Sequence, residues 1–208
     1  MSKKKYIIAI TSLSLVIVAL VGAVIGIWAA TQQTVNSKLY VSYTPTKDVI
    51  AKVNASYSIN GATTPTAIGS QQSFTYGSSQ TTAALDKTNL TLTDSAPYII
   101  FSFSFQNSAT SSNTYSKYLN ITETSNPAVS NMTVSKKYST TAMTTPMNKT
   151  NFTSLTDGKN TVLKNIQYGN TVYIYIMVEI TTKGVPAYWG STSANSFSFV
   201  LSASNATS

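Results

Sequence analysis

Val172-Tyr-Ile-Tyr-Ile-Met-Val-Glu-Ile180 is apolar or aromatic at every position but Glu179. A run this short, built from β-branched and aromatic residues, predicts a strand covered on both faces, as in the middle of a sheet. The segments around it alternate instead. Ile99, Phe101, Phe103 and Phe105 interleave with Ile100, Ser102, Ser104 and Gln106. Val49, Ala51, Val53, Ala55, Tyr57 and Ile59 form one face against Asp48, Lys52, Asn54, Ser56 and Ser58, and Asn60-Gly61 follows as a turn. Leu119, Ile121 and Glu123 interleave with Asn120 and Thr122, and Phe197, Phe199, Leu201 and Ala203 with Ser196, Ser198 and Ser202. Weaker strands are predicted at 73–76, 90–93, 132–135 and 163–167. Residues 138–160, rich in Thr, Asn and Lys, read as a long loop or excursion on the surface. No segment after the first thirty residues carries a 3.6-residue stripe. The expected fold is all-β: an antiparallel β-sandwich of jelly-roll or Ig-like type.

Ahead of this domain stands an apolar, helix-forming leader. Lys3, Lys4 and Lys5 precede an apolar run from Tyr6 to Trp28, which places the lysines inside and the remaining chain outside a membrane. The run is longer than a typical signal core and close to a membrane span, so cleavable signal and retained anchor are both open. Ala29 and Ala30 supply small residues for a cut between Ala30 and Thr31. The predicted organisation is a leader at 1–30, an N-terminal strand and linker at 31–47, and the β domain at 48–208.

The segment Thr31-Gln-Gln-Thr-Val-Asn-Ser-Lys-Leu-Tyr-Val-Ser-Tyr43 has β character from Val35, and Pro45 separates it from the next strand. It can be an ordinary first strand or a tether. It can also be a donor strand that completes the sheet of a neighbouring subunit by β-augmentation. An incomplete sheet exposes unpaired N–H and C=O groups together with apolar core, and a borrowed strand satisfies both. Such a head-to-tail contact does not close on itself and builds an open fibre.

Composition removes most catalytic chemistry. The 208 residues include no cysteine and no histidine, and all fourteen basic residues are lysine. Thiolate and imidazole metal ligands, Cys or Ser–His nucleophile systems and disulfides are therefore excluded. The six acidic residues, Asp48, Asp86, Asp94, Glu123, Asp157 and Glu179, form no local cluster. Removing the three leader lysines from the net charge of +8 leaves +5, thinly spread and without arginine, a poor footprint for nucleic acid. No enzyme activity and no cofactor are expected. Tyr173, Tyr175 and the aromatics of 99–105 could form a sugar-binding platform, although core and sheet-face packing is the commoner use.

The leader and its junction, Lys3-Lys-Lys5 through Gly26-Ile-Trp-Ala-Ala30, resemble those of the TasA and camelysin-like biofilm matrix fibre proteins. The Cys-free, Thr/Ser/Asn/Tyr-rich style resembles the related subunits of archaeal bundling pili and thread filaments. The resemblance implies cleavage after Ala30 and polymerisation by donor-strand complementation. The donor segment then carries Thr31, Val35, Ser37, Leu39 and Val41. The expected product is an extracellular cell-surface filament serving adhesion or biofilm formation. Its partners are copies of the same chain, bundling neighbours or cell-surface glycans, with the membrane touched only through the leader. Two other assemblies stay open: a membrane-anchored monomeric adhesin, and a type IV pilin-like subunit retaining its N-terminal helix. The latter is disfavoured because Lys5 meets Tyr6 directly, with no small residue between them.

Seven N-x-[ST] sequons occur, at Asn54, Asn89, Asn120, Asn131, Asn148, Asn151 and Asn205. Sixteen asparagines in a chain roughly one-third Ser plus Thr give about five by chance. N-linked glycans are expected at some of the seven in an archaeal or eukaryotic source and not in most bacteria, with Asn54 and Asn120 on the polar faces of their strands.

Overall fold

The computed structural model describes residues 33–44, 51–74, 82–93, 95–108, 118–123, 132–156, 158–180 and 195–206. The leader, the Ala30/Thr31 junction and Asn131 lie outside the described residues. Two alternating stretches of the sequence and the continuous apolar run lie side by side at the centre of one sheet. Strand β2 (Ala51–Ile59) pairs antiparallel with β7 (Tyr98–Asn107), and β7 pairs with β11 (Thr171–Ile180). Beyond β11 lies β9 (Met132–Ser139), and beyond β2 lie β3 (Thr66–Ala67) and β4 (Gln72–Phe74). The register puts Ala55 opposite Phe103 and Phe103 opposite Ile174. The apolar positions of three strands thereby fall on one face. Phe101, Phe103, Phe105, Val53 and Ile176 are fully buried there.

The second sheet runs β10 (Ile166–Gln167), β8 (Tyr118–Glu123), β12 (Asn195–Ala206), β1 (Gln33–Thr44) and β5 (Thr82–Ala84), with β6 (Lys87–Leu92) also pairing β1. Leu90 and Leu92 of β6 and Ile166 of β10 belong to the same buried cluster as Val53, Phe101, Phe103, Phe105, Ile174 and Ile176 of the first sheet. Asn107 ties the end of β7 to the β10 region. Its Nδ2 donates to the Ile166 carbonyl at 3.0 Å, and its own carbonyl accepts from the Gly169 N–H at 2.7 Å.

The all-β class and the mostly antiparallel pairing agree with the sequence reading, with three corrections. The β1–β12 pair is parallel, because the two strands come from opposite ends of the domain and run the same way. The strand expected at 163–167 shrinks to Ile166–Gln167. Lys159–Val162 forms a short helix (α2) capped by buried Leu163, and Asn165 turns the chain at φ 55°. Residues 140–156 form the expected surface excursion, but it is pinned to the sheet by a few buried apolar residues, and Tyr138 and Ser139 still belong to β9. The excursion holds helix α1 (Lys149–Thr153) and lays Met143, Met147 and Phe152 over Ile100, Tyr175 and Met177 on the outer face of the first sheet. These apolar residues sit too far apart and too unevenly to form a period, so burial there left no pattern to read.

At the end of β2, the Asn60-Gly61 turn forms as expected. Both residues have positive φ (50° and 75°), and Ala62 N–H bonds back to the Ile59 carbonyl at 3.1 Å. A Cβ on Gly61 would stand 2.9 Å from Asn148 Cβ and 3.0 Å from Tyr98 Oη, so only glycine fits under the excursion.

Candidate functional site

The strand that precedes Pro45 occupies an internal place in its sheet. Valine, leucine and tyrosine give Gln33–Thr44 its extended preference. The proline after it cannot donate to a ladder and ends the pairing. On one side β1 runs parallel to β12, from Val35 opposite Asn195 to Thr44 opposite Ser204. On the other it is antiparallel to β6, with Gln33 opposite Leu92 and Val35 opposite Leu90, and then to β5, with Val41 opposite Ala83. An irregularity between Val35 and Ser37 marks the passage from one partner to the next.

The register aligns two alternations that the sequence shows separately. Ser37, Leu39 and Val41 stand opposite Phe197, Phe199 and Leu201, in the parity that also places Val35 opposite Leu90. On the β6 side, Leu90 is 5% exposed and Leu92 is fully buried. The expected donor positions Val35, Ser37, Leu39 and Val41 are thus brought together with β12, β5 and β6, whereas Thr31 lies outside the described residues. The partner strands are what sequence reasoning missed. The matching parity of 35–41 and 197–201 was the available signal, but nothing local says that segments so far apart in the chain are neighbours.

If β1 were withdrawn, β12 and β6 with β5 would be left as facing edges with unpaired N–H and C=O groups. The ladder specifies a segment of extended chain in a fixed direction and register. It does not specify that the segment come from the same molecule.

The sequons are dispersed. Asn54 is exposed on β2; Asn89, Asn120 and Asn205 fall on β6, β8 and β12. Asn148 and Asn151 sit in the excursion and are committed to holding it. Asn148 Oδ1 accepts from the Asn151 N–H at 2.8 Å and so caps α1. Asn151 Nδ2 donates to the carbonyls of Thr144 at 3.1 Å and Pro146 at 2.9 Å.

Of the aromatics considered as a platform, Tyr175 is core, 2% exposed. Its Oη accepts the Met143 N–H at 2.7 Å and anchors the excursion. Burial pushes its phenol above the ordinary tyrosine range, partly offset by its hydrogen bonds with Met143 and Ser102. Tyr173 stacks on Tyr175, with centroids 6.0 Å apart and planes 9° apart, and remains half-buried at the open part of the face. Glu179 pairs with Lys149 Nζ at 2.6 Å, a largely exposed bridge of small worth. Among the described residues, no three His, Cys, Asp or Glu side chains gather as a metal would require.

Comparison with protein-family models and with curated proteins returns no match for this chain.

Proposed function

We propose that the chain is the structural subunit of an extracellular filament, assembled head to tail by donor-strand complementation. Its role is mechanical, in adhesion or biofilm formation, and it carries out no catalysis. The leader directs export and is cut between Ala30 and Thr31. The β1 segment of each subunit then enters the next one, lying parallel to its β12 and antiparallel to its β5 and β6. The two sheets act as layers of a β-sandwich around one core. The sharing of a single buried cluster by Leu90, Leu92, Ile166 and the first-sheet aromatics supports that reading.

The observation that carries the proposal is the internal position of β1. A strand at the chain's N-terminal side, separated from the domain by Pro45, fills a place bonded on both edges. In one copy that place is satisfied in cis. In a filament the same ladder forms in trans, and an open chain of such contacts does not terminate.

The proposal is tested by expressing the chain without residues 31–44 behind its own leader and imaging material sheared from the cell surface. Strand exchange predicts no filaments and a soluble domain with an open sheet, while the parent gives thin filaments whose chains begin at Thr31 by mass spectrometry. Filaments formed by the shortened chain would overturn the mechanism.

A further inference from the structure

The outer face of the first sheet is only half covered. The excursion hides Ile100, Tyr175 and Met177, and the uncovered part is a groove of about 370 Å³ lined by Asn54, Ser56, Ser102, Ser104 and Tyr173. The register gives it an internal order. Asn54 stands opposite Ser104, and Ser104 stands opposite Tyr173, in one row across three strands. Two strand spacings separate Asn54 from Tyr173, about 10 Å of groove floor. The row therefore begins at a sequon asparagine, passes a hydroxyl and ends at an aromatic ring.

We infer that Asn54 carries an N-linked glycan and that this glycan lies in the groove, over Ser104 and against the ring of Tyr173. Among the three sequon asparagines whose side chains the structure describes, Asn54, Asn148 and Asn151, the choice follows from the amide nitrogens. Asn151 already donates both Nδ2 hydrogens inside the fold. Asn148 is half-buried, caps α1 and lies against the Gly61 turn. Asn54 is exposed and makes no side-chain hydrogen bond to the described residues. Residues two apart on a strand share a face, so Asn54 and the Ser56 hydroxyl of the same sequon both open onto the groove.

The modification is a group transfer from a polyprenyl-phosphate-linked saccharide, catalysed by a membrane oligosaccharyltransferase. Asn54 Nδ2 attacks the anomeric carbon, and the new N–C bond forms as the C–O bond to phosphate breaks. The electron pair leaves with the phosphate, and the Nδ2 proton passes to a base of the transferase. A neutral saccharide suits the site: Ser56, Ser102 and Ser104 offer hydroxyl donors and acceptors, and the Tyr173 ring offers a stacking face.

This inference rests on the export proposed above. The test is glycopeptide mapping of the full chain secreted by cells with an N-oligosaccharyltransferase, with the chain's N-terminus read in the same digest. Exported chains should carry saccharide on Asn54 and none on Asn148 or Asn151. Exported chains with Asn54 bare, or with saccharide on Asn148 or Asn151 instead, overturn the assignment and leave the filament reading standing. Chains retained inside the cell with an intact leader overturn the export reading, and this inference with it. For the groove, release of the glycan from folded protein by an N-glycosidase is timed. Tyr173→Ala should speed release about fivefold, the worth of one aromatic contact, and Tyr173→Phe should leave it unchanged. Ser104→Val, which suits a strand, should speed it about two- to threefold through loss of one hydrogen bond. Release at the parental rate from both Tyr173→Ala and Ser104→Val would overturn the groove-bound arrangement.

Discussion

Replacing Tyr175 with phenylalanine removes a single oxygen from beneath the excursion. The ring keeps its place among Ile100, Met143, Met147, Phe152 and Met177, so apolar burial is almost unchanged. What is lost is the hydrogen bond with Ser102 and, inside the excursion, the acceptor of the Met143 N–H, a 2.7 Å bond made by a side chain that is 2% exposed. A buried amide left without a partner costs about 1–3 kcal/mol. With about 1.4 kcal/mol per factor of ten, local opening around Met143 should become about 5- to 150-fold more frequent. Amide hydrogen exchange reads this directly. The Met143 amide is expected to lose protection by that factor, while the Ile174 and Ile176 amides, bonded within the β9–β11–β7 ladders, keep theirs. Unchanged exchange at Met143 would refute the claim that the Tyr175 hydroxyl anchors the excursion.

Three further outcomes follow from the same geometry. Folded Tyr175 holds its proton to higher pH than an unfolded tyrosine, chiefly because of burial. Its contribution is therefore intact below about pH 10 and lost as pH rises beyond it; the denaturation midpoint should fall more steeply in the parent than in Tyr175→Phe as pH rises above about 10. Gly61→Ala should cost more than Gly169→Ala. Both have positive φ (75° and 77°), worth about 1–2 kcal/mol each, but only the Gly61 Cβ would meet Asn148 Cβ at 2.9 Å and Tyr98 Oη at 3.0 Å, whereas nothing lies within 4 Å of Gly169. Equal losses by thermal unfolding would contradict that packing. Phe103→Ala, at a fully buried position stacked on Phe101 with centroids 6.4 Å apart, should lose about 3–5 kcal/mol in denaturant unfolding.

The strands that alternate were the legible part of the fold. In β7, Phe101, Phe103 and Phe105 are buried and Ser102, Ser104 and Gln106 partly exposed, as period two requires; in β11 the continuous apolar run is buried on both sides, its second face by the excursion. Period two says which face is apolar but not which strand lies alongside. The parallel pairing of β1 with β12 joins segments from the two ends of the domain, and no local signal carries it. The excursion was illegible for another reason. Met143, Met147 and Phe152 cover the sheet from an irregular backbone fixed by the Asn148 and Asn151 amides and the Tyr175 hydroxyl, and such bonds have no period. The candidate site was read in half: a strand was visible in 31–43 from Val35 onward, and the place it fills emerged only from the register.

Trans insertion of β1 is decided most directly by crosslinking in a chain that has no cysteine of its own. Lys38 and Ser198 are paired across β1 and β12 on the polar parity of both strands, at a separation a disulfide can bridge. One population carries Lys38→Cys and another Ser198→Cys; they are mixed, allowed to assemble and oxidised. Donor-strand exchange predicts disulfide-linked dimers of unlike chains, together with a ladder of linked multimers when both substitutions are placed in one chain. Only monomers from the mixture, with an internal disulfide in the doubly substituted chain, would show that β1 stays in its own subunit and would contradict the filament mechanism.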